Sequence, residues 1–342
     1  VIFRLIAVSW CIAVAAPAWA DRPAELFPLA GVQEFAVRGV RAYEDVSPIP
    51  PRQHAERMSR GIVNGPLAVE RWAQRPGPSG MLSRRTIVPT APIDSPFRPF
   101  LVTRHEIGDD DFTFSLHQQV EEAMVGEFVA RRDASLRNET TLLTLLLGRR
   151  LGGDDSLDLS ADWGNPRREA DGARIVLTFE RDREAPSRHP AIRTTHVVRF
   201  VLVERRLDEI EIVEATAHAK GRRERLVQTV RFEDWRPVPK GDAQVLLPHA
   251  VVRTHWEVDP AREPVVRRAT LQDPLSDEEI AAMNAPLPRD AYRVGFRETL
   301  RQLEYRFATT DADWQVEHLT PQTPINGRPP PELRKRIEPP AP

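Results

Sequence analysis

HVVRFVLVERRLDEIEIVEA (196–215), RERLVQTVRFEDWRPV (223–238) and VLLPHAVVRTHWEV (245–258) decide the fold. They read as strands joined by short turns, and alternation of apolar and polar residues, the period of a half-buried strand, is visible in the second and third. Val230 and Phe232 oppose Arg231 and Glu233. Ala250, Val252, Thr254, Trp256 and Val258 share one face of the third stretch, and His249, Val251, Arg253, His255 and Glu257 share the other. Polar turn triplets separate the runs: Arg206-Leu207-Asp208, Ala219-Lys220-Gly221 and Lys240-Gly241-Asp242. Upstream, Ile175, Val176, Leu177, Thr178 and Phe179 form another strand core. Downstream, Tyr292, Val294 and Phe296, then Leu303, Tyr305 and Phe307, alternate as a closing strand or hairpin. The reading is an antiparallel meander covered on one side.

Outside this block the signals weaken. Residues 100–107 and 112–116 have short β character. Val120, Met124, Val125, Phe128 and Val129 fall at helical spacing, which predicts a helix over 118–132. A second helix is expected over 136–151, with a buried strand pair as its alternative. A short third helix follows the capping-box start Ser276-Asp277-Glu278-Glu279. The expected class is therefore α+β: a curved antiparallel sheet, or half-open barrel, covered by a few helices, over 100–320. Residues 21–99 are rich in proline and read as an arm or linker, with a short strand at 34–40. Residues 321–342 read as a disordered proline-rich tail.

Residues 1–20, VIFRLIAVSWCIAVAAPAWA, have the pattern of a secretory signal peptide. Arg4 precedes the apolar run, and Ala18-Trp19-Ala20 supplies a small-x-small cleavage site before Asp21. A periplasmic or secreted location follows, with no transmembrane span after cleavage. Cys11, the single cysteine, lies inside this leader, so the mature chain has neither disulfide nor thiolate chemistry. The charges nearly cancel, with 48 Lys+Arg against 50 Asp+Glu. Arginines are interleaved with acids, as in Glu204-Arg205-Arg206-Leu207-Asp208-Glu209, and no basic stripe with aromatics exists for nucleic acid.

Chemistry-bearing motifs are absent: no HExxH, GxSxG, SxxK, P-loop or GxGxxG. His249 and His255 share a strand face, but at roughly 20 Å one zinc ion cannot bridge them. No metal or other cofactor is expected. Residues 196–258 resemble the central hairpins of the periplasmic lipoprotein-carrier superfamily, the LolA/LolB-like fold. The resemblance rests on the order of strands, on the aromatic followed by Arg236-Pro237-Val238, and on Leu246-Leu247-Pro248-His249. It implies an unclosed, strongly curved sheet that binds an acyl chain and performs no chemistry. The expected acyl-binding face carries Val230, Phe232, Val252, Trp256, Tyr305 and Phe307. The function expected is a non-catalytic carrier of a lipid or lipoprotein acyl group, with an envelope protein as a further partner. The alternative is an envelope scaffold with a filled core and no small ligand. A hydrolase with a dispersed site ranks third.

Overall fold

The computed structural model describes residues 23–45, 67–75, 82–87, 101–108, 113–119, 125–129, 145–148, 150–151, 157–159, 163–182, 193–218, 221–259, 261–262, 276–278, 281, 285, 287–314 and 325–326. The strands in chain order are β1 (Phe35–Asp45), β2 (Leu67–Gln74), β3 (Leu82–Ile87), β4 (Leu101–Gly108), β5 (Thr113–Gln119), β6 (Val125–Val129), β7 (Arg150–Leu151) and β8 (Leu157–Asp158). They continue with β9 (Arg167–Asp171), β10 (Arg174–Asp182), β11 (Arg193–Val203), β12 (Arg206–His218), β13 (Gly221–Lys240), β14 (Ala243–Val258), β15 (Tyr292–Arg306) and β16 (Ile325–Asn326).

Fourteen of them form one sheet in the order β16-β6-β5-β4-β3-β2-β1-β15-β14-β13-β12-β11-β10-β9. The sheet is two antiparallel meanders, β1 to β6 and β9 to β15, joined where β1 pairs with β15. Among the described strands only β16 runs parallel to its neighbour, β6.

The expected α+β class is overturned. Strands make up 69% of the structure, and among the described residues no helix reaches seven residues. The helix expected over 118–132 is replaced by the ends of β5 and by β6. Its valines and Phe128 sit at a spacing that both periods accommodate, and pairing with β4 and β5 decides in favour of strand. Of the helix expected over 136–151, the described part holds one helical turn at Leu145–Leu146 that ends in the turn Leu147–Gly148. Of the helix expected after Ser276, only Asp277, Glu278 and Ala281 are described as helical. The stretch read as an arm or linker contributes β1, β2 and β3 to the same sheet, and β16 comes from the stretch read as a tail. The leader lies outside the described residues.

The main core lies on one face of the sheet, here called the inner face. It holds Leu177 and Phe179 of β10, Phe200 of β11, Ile210 of β12, Val230 and Phe232 of β13, Val251 of β14 and Leu300 of β15, all buried. Register shifts redistribute side chains between faces. Ile212 pairs with Gln228 but Val213 pairs with Leu226, so Val227 is the extra residue of a bulge. Leu226 therefore leaves the inner face for a small cluster on the outer face with Val197, Val213 and Ala215.

Candidate functional site

Two short segments lie across the inner face. The first begins with the 3-10 turn Pro23–Leu26 and continues through Phe27 and Leu29. The second is Leu145, Leu146 and Leu147. Neither segment joins the large sheet. A backbone bond ties them to each other: Leu29 N–H donates to the Leu146 carbonyl at 2.8 Å. Gly148 explains their closeness: it has φ +64°, and a Cβ there would fall 2.5 Å from Phe27 Cδ2 and 2.6 Å from the Ala24 carbonyl.

Phe27 is the centre of this strap. Its ring meets Phe200 edge-on at 6.0 Å and Phe232 at 6.3 Å. Phe200 in turn meets Phe179 at 5.6 Å, and Phe179 meets Trp163 at 6.5 Å. Such edge-to-face pairs add to the burial of each ring.

The six residues expected on one apolar face divide between two. Val230, at 0% exposure, and Phe232, at 1%, are on the inner face in the main core. Tyr305 and Phe307 pack against the same core from its margin. Burial pushes the Tyr305 phenol well above its ordinary range, and its hydroxyl donates to the Pro248 carbonyl. Val252 and Trp256 are on the outer face. The register is the reason: Phe232 pairs with Val251 and Val230 with Arg253, so the inner set of β14 is the one that looks polar in sequence. Trp256 instead packs on the outer cluster. Its indole N–H donates to Thr229 Oγ1 at 3.0 Å, and the Arg289 guanidinium lies 5.2 Å from its ring centre.

Beside the apolar region, the inner face changes character. A row of buried charges crosses four neighbouring strands: Glu70 of β2, Arg41 of β1, Glu298 of β15 and Arg253 of β14. Arg41 Nε lies 3.0 Å from Glu70 Oε1, and Arg41 Nη1 lies 3.7 Å from Glu298 Oε1. Arg253 closes the row through a bond from Nη2 to Glu298 Oε2. The Trp72 indole donates to Glu70 Oε2 at 3.4 Å. Among the described residues the row holds two cations and two carboxylates, and none of these side chains exceeds 14% exposure. On β13 the row continues as Gln228, at 5% exposure, opposite His255.

The sequence reading missed this row. Arg253 looked like a residue of the solvated face because alternation alone cannot tell which face is covered. The outer face does carry the solvated ladder, with Arg199 between Glu211 and Glu224, and Arg222 on Glu180. Midway along β14, the His249 ring meets Tyr305 edge-on at 5.6 Å. Desolvation, and then the nearby Arg236 cation, lower the His249 pKa from 6.5. Among the described residues no group of three or more His, Cys, Asp or Glu side chains is placed to hold a metal ion. No described helix is long and apolar enough to cross a membrane.

No family model matches the chain, and no curated protein matches it. One solved structure does: a Vibrio parahaemolyticus domain, described provisionally as an outer membrane lipoprotein-sorting protein domain. It shares 10% identity over 83% of this chain and 90% of that one, with a TM-score of 0.34. A likeness at that level is a distant one between folds.

Proposed function

We propose that the protein is a non-catalytic binding protein of the cell envelope, which takes an acyl chain of a lipid or lipoprotein on the inner sheet face. One observation carries this reading. The apolar surface around Val230 and Phe232 is closed by a strap that, among the described residues, forms no ladder with the large sheet and is bridged by a single backbone bond. Displacing Phe27 and Leu145–Leu147 exposes Phe200 and Phe232 without breaking a strand pair of that sheet. An acyl chain laid there replaces one apolar contact with another, and burial at ~25 cal/mol per Å2 supplies the affinity. The carrier acts after removal of residues 1–20.

The scaffold reading is favoured by a different observation: Phe179, Phe200, Phe232, Leu145 and Leu146 are each at 0–1% exposure, as in a filled core. Native mass spectrometry of protein purified from its own host separates the two. The carrier reading expects co-purified acyl lipid, or uptake of an added long-chain ester by lipid-free protein. Protein that arrives lipid-free and takes up no added ester is a scaffold.

A further inference from the structure

We infer that the buried side chains of Gln228 and Arg253 form the polar end of the acyl site, where their free N–H groups receive a neutral carbonyl oxygen such as that of an acyl ester. The inference rests on the acyl-carrier reading and adds the chemistry of the ligand's head. Gln228 Nε2 and Arg253 Nε are both buried and without a hydrogen-bond partner. Leaving such donors unpaired is costly, so a native structure that keeps two of them together calls for an explanation.

Register places them side by side. Gln228 pairs with His255 and Val230 pairs with Arg253, so the two donors are diagonal neighbours on adjacent strands, on one face. The same face of β13 then runs through Val230 to Phe232, the floor beneath Phe27. A chain lying along that floor brings its head to the donors.

Charge selects the kind of head. Arg253 already gives Nη2 to Glu298, and Arg41 serves both Glu70 and Glu298. Among the described side chains of the row two cations match two carboxylates, so an incoming carboxylate adds a third buried negative charge that no described cation of the row offsets. A neutral carbonyl accepts both N–H groups without that cost.

The test uses the full chain with three probes: methyl palmitate labelled with 13C at the carbonyl, palmitate, and hexadecane. Wild-type protein is expected to bind the methyl ester about threefold to tenfold more tightly than hexadecane. The infrared band of the bound ester carbonyl should shift to lower frequency than in a hydrocarbon solvent. Gln228→Leu should reduce the ester's advantage over hexadecane and move the band back. Its melting temperature should equal or exceed that of wild type, because an unpaired donor has gone. Gln228→Met replaces it if the leucine variant does not fold. An unshifted ester band in wild type, or an ester-to-hexadecane ratio that neither variant changes, overturns the inference and leaves the carrier reading standing. Palmitate binding more tightly than its methyl ester overturns the assignment of a neutral head. Binding of none of the three by wild type overturns the carrier reading itself.

Discussion

Glu298 is shared by Arg41 and Arg253 at less than a tenth exposure. Removing its charge takes the carboxylate from Arg253 and leaves Arg41 with Glu70. Breaking a buried pair from one side costs ~3–5 kcal/mol, so Glu298→Gln should destabilise by about that much in chemical denaturation. Trp256 makes the contrasting case. It is half-buried on the outer face, so Trp256→Ala should cost less than the ~3–5 kcal/mol of a fully buried aromatic and leave acyl binding unchanged. Loss of ester binding in that variant would show that the outer face takes part. His249 contributes to the pH dependence. Its pKa is lowered in the folded protein, so the unfolded chain binds the proton more tightly. Its contribution to stability is complete above 6.5 and is lost as pH falls through its lower folded value. Melting temperature should drop over that window, and His249→Phe should flatten the drop.

At the scale of the element, the turn between β11 and β12 stands out. Glu204 (φ 50°) and Arg205 (φ 67°) both occupy left-handed backbone, which a two-residue hairpin demands and which side chains other than Asn, Asp or Gly resist. Arg205→Gly should therefore raise stability by ~1 kcal/mol, read as a higher melting temperature. The β13–β14 turn meets the same demand with Gly241 (φ 59°) and looked like a turn in the sequence for that reason. The meander from β10 to β15 was legible because alternation is visible in β13 and β14 and its turns are polar, although the first turn lies at Glu204-Arg205 and the expected Arg206-Leu207-Asp208 opens β12. Of the strands β1 to β6, parts of β1, β4 and β5 were legible as short β segments at 34–40, 100–107 and 112–116, whereas β2, β3 and β6 were not. Their apolar residues are sparse, prolines interrupt the chain between them, and their state is set by partners far away in sequence. The face of β14 was misjudged for a simpler reason. A buried Arg–Glu row is a polar stripe that water does not cover, and alternation alone cannot separate it from a wet one. The Val227 bulge adds to this, because it moves Leu226 and Gln228 to opposite faces although they are two residues apart.

For the whole molecule, β9 is an edge of the sheet among the described strands, and Arg167–Asp171 is exposed along its whole length and charged at four of five positions. Charges on an edge strand discourage pairing with a second copy. Replacing Arg167 and Glu169 together by valine should produce concentration-dependent self-association in light scattering. At the middle of the sheet the geometry is different. The seam between β1 and β15 is fastened by Glu34, whose carboxylate accepts from the Thr309 N–H at 2.9 Å, between residues 275 positions apart. At ~5–20 residues per second a ribosome takes roughly 15–55 s to cover that distance. Throughout that interval β1 has been made but its long partner has not. One side of it can close on β2, while the other side presents bare N–H and C=O groups beside Phe35 and Val37. Synthesis from one end therefore exposes a sticky border well before the strand that seals it exists. The first half of this chain needs to be held apart from its neighbours until the last long strand has been delivered.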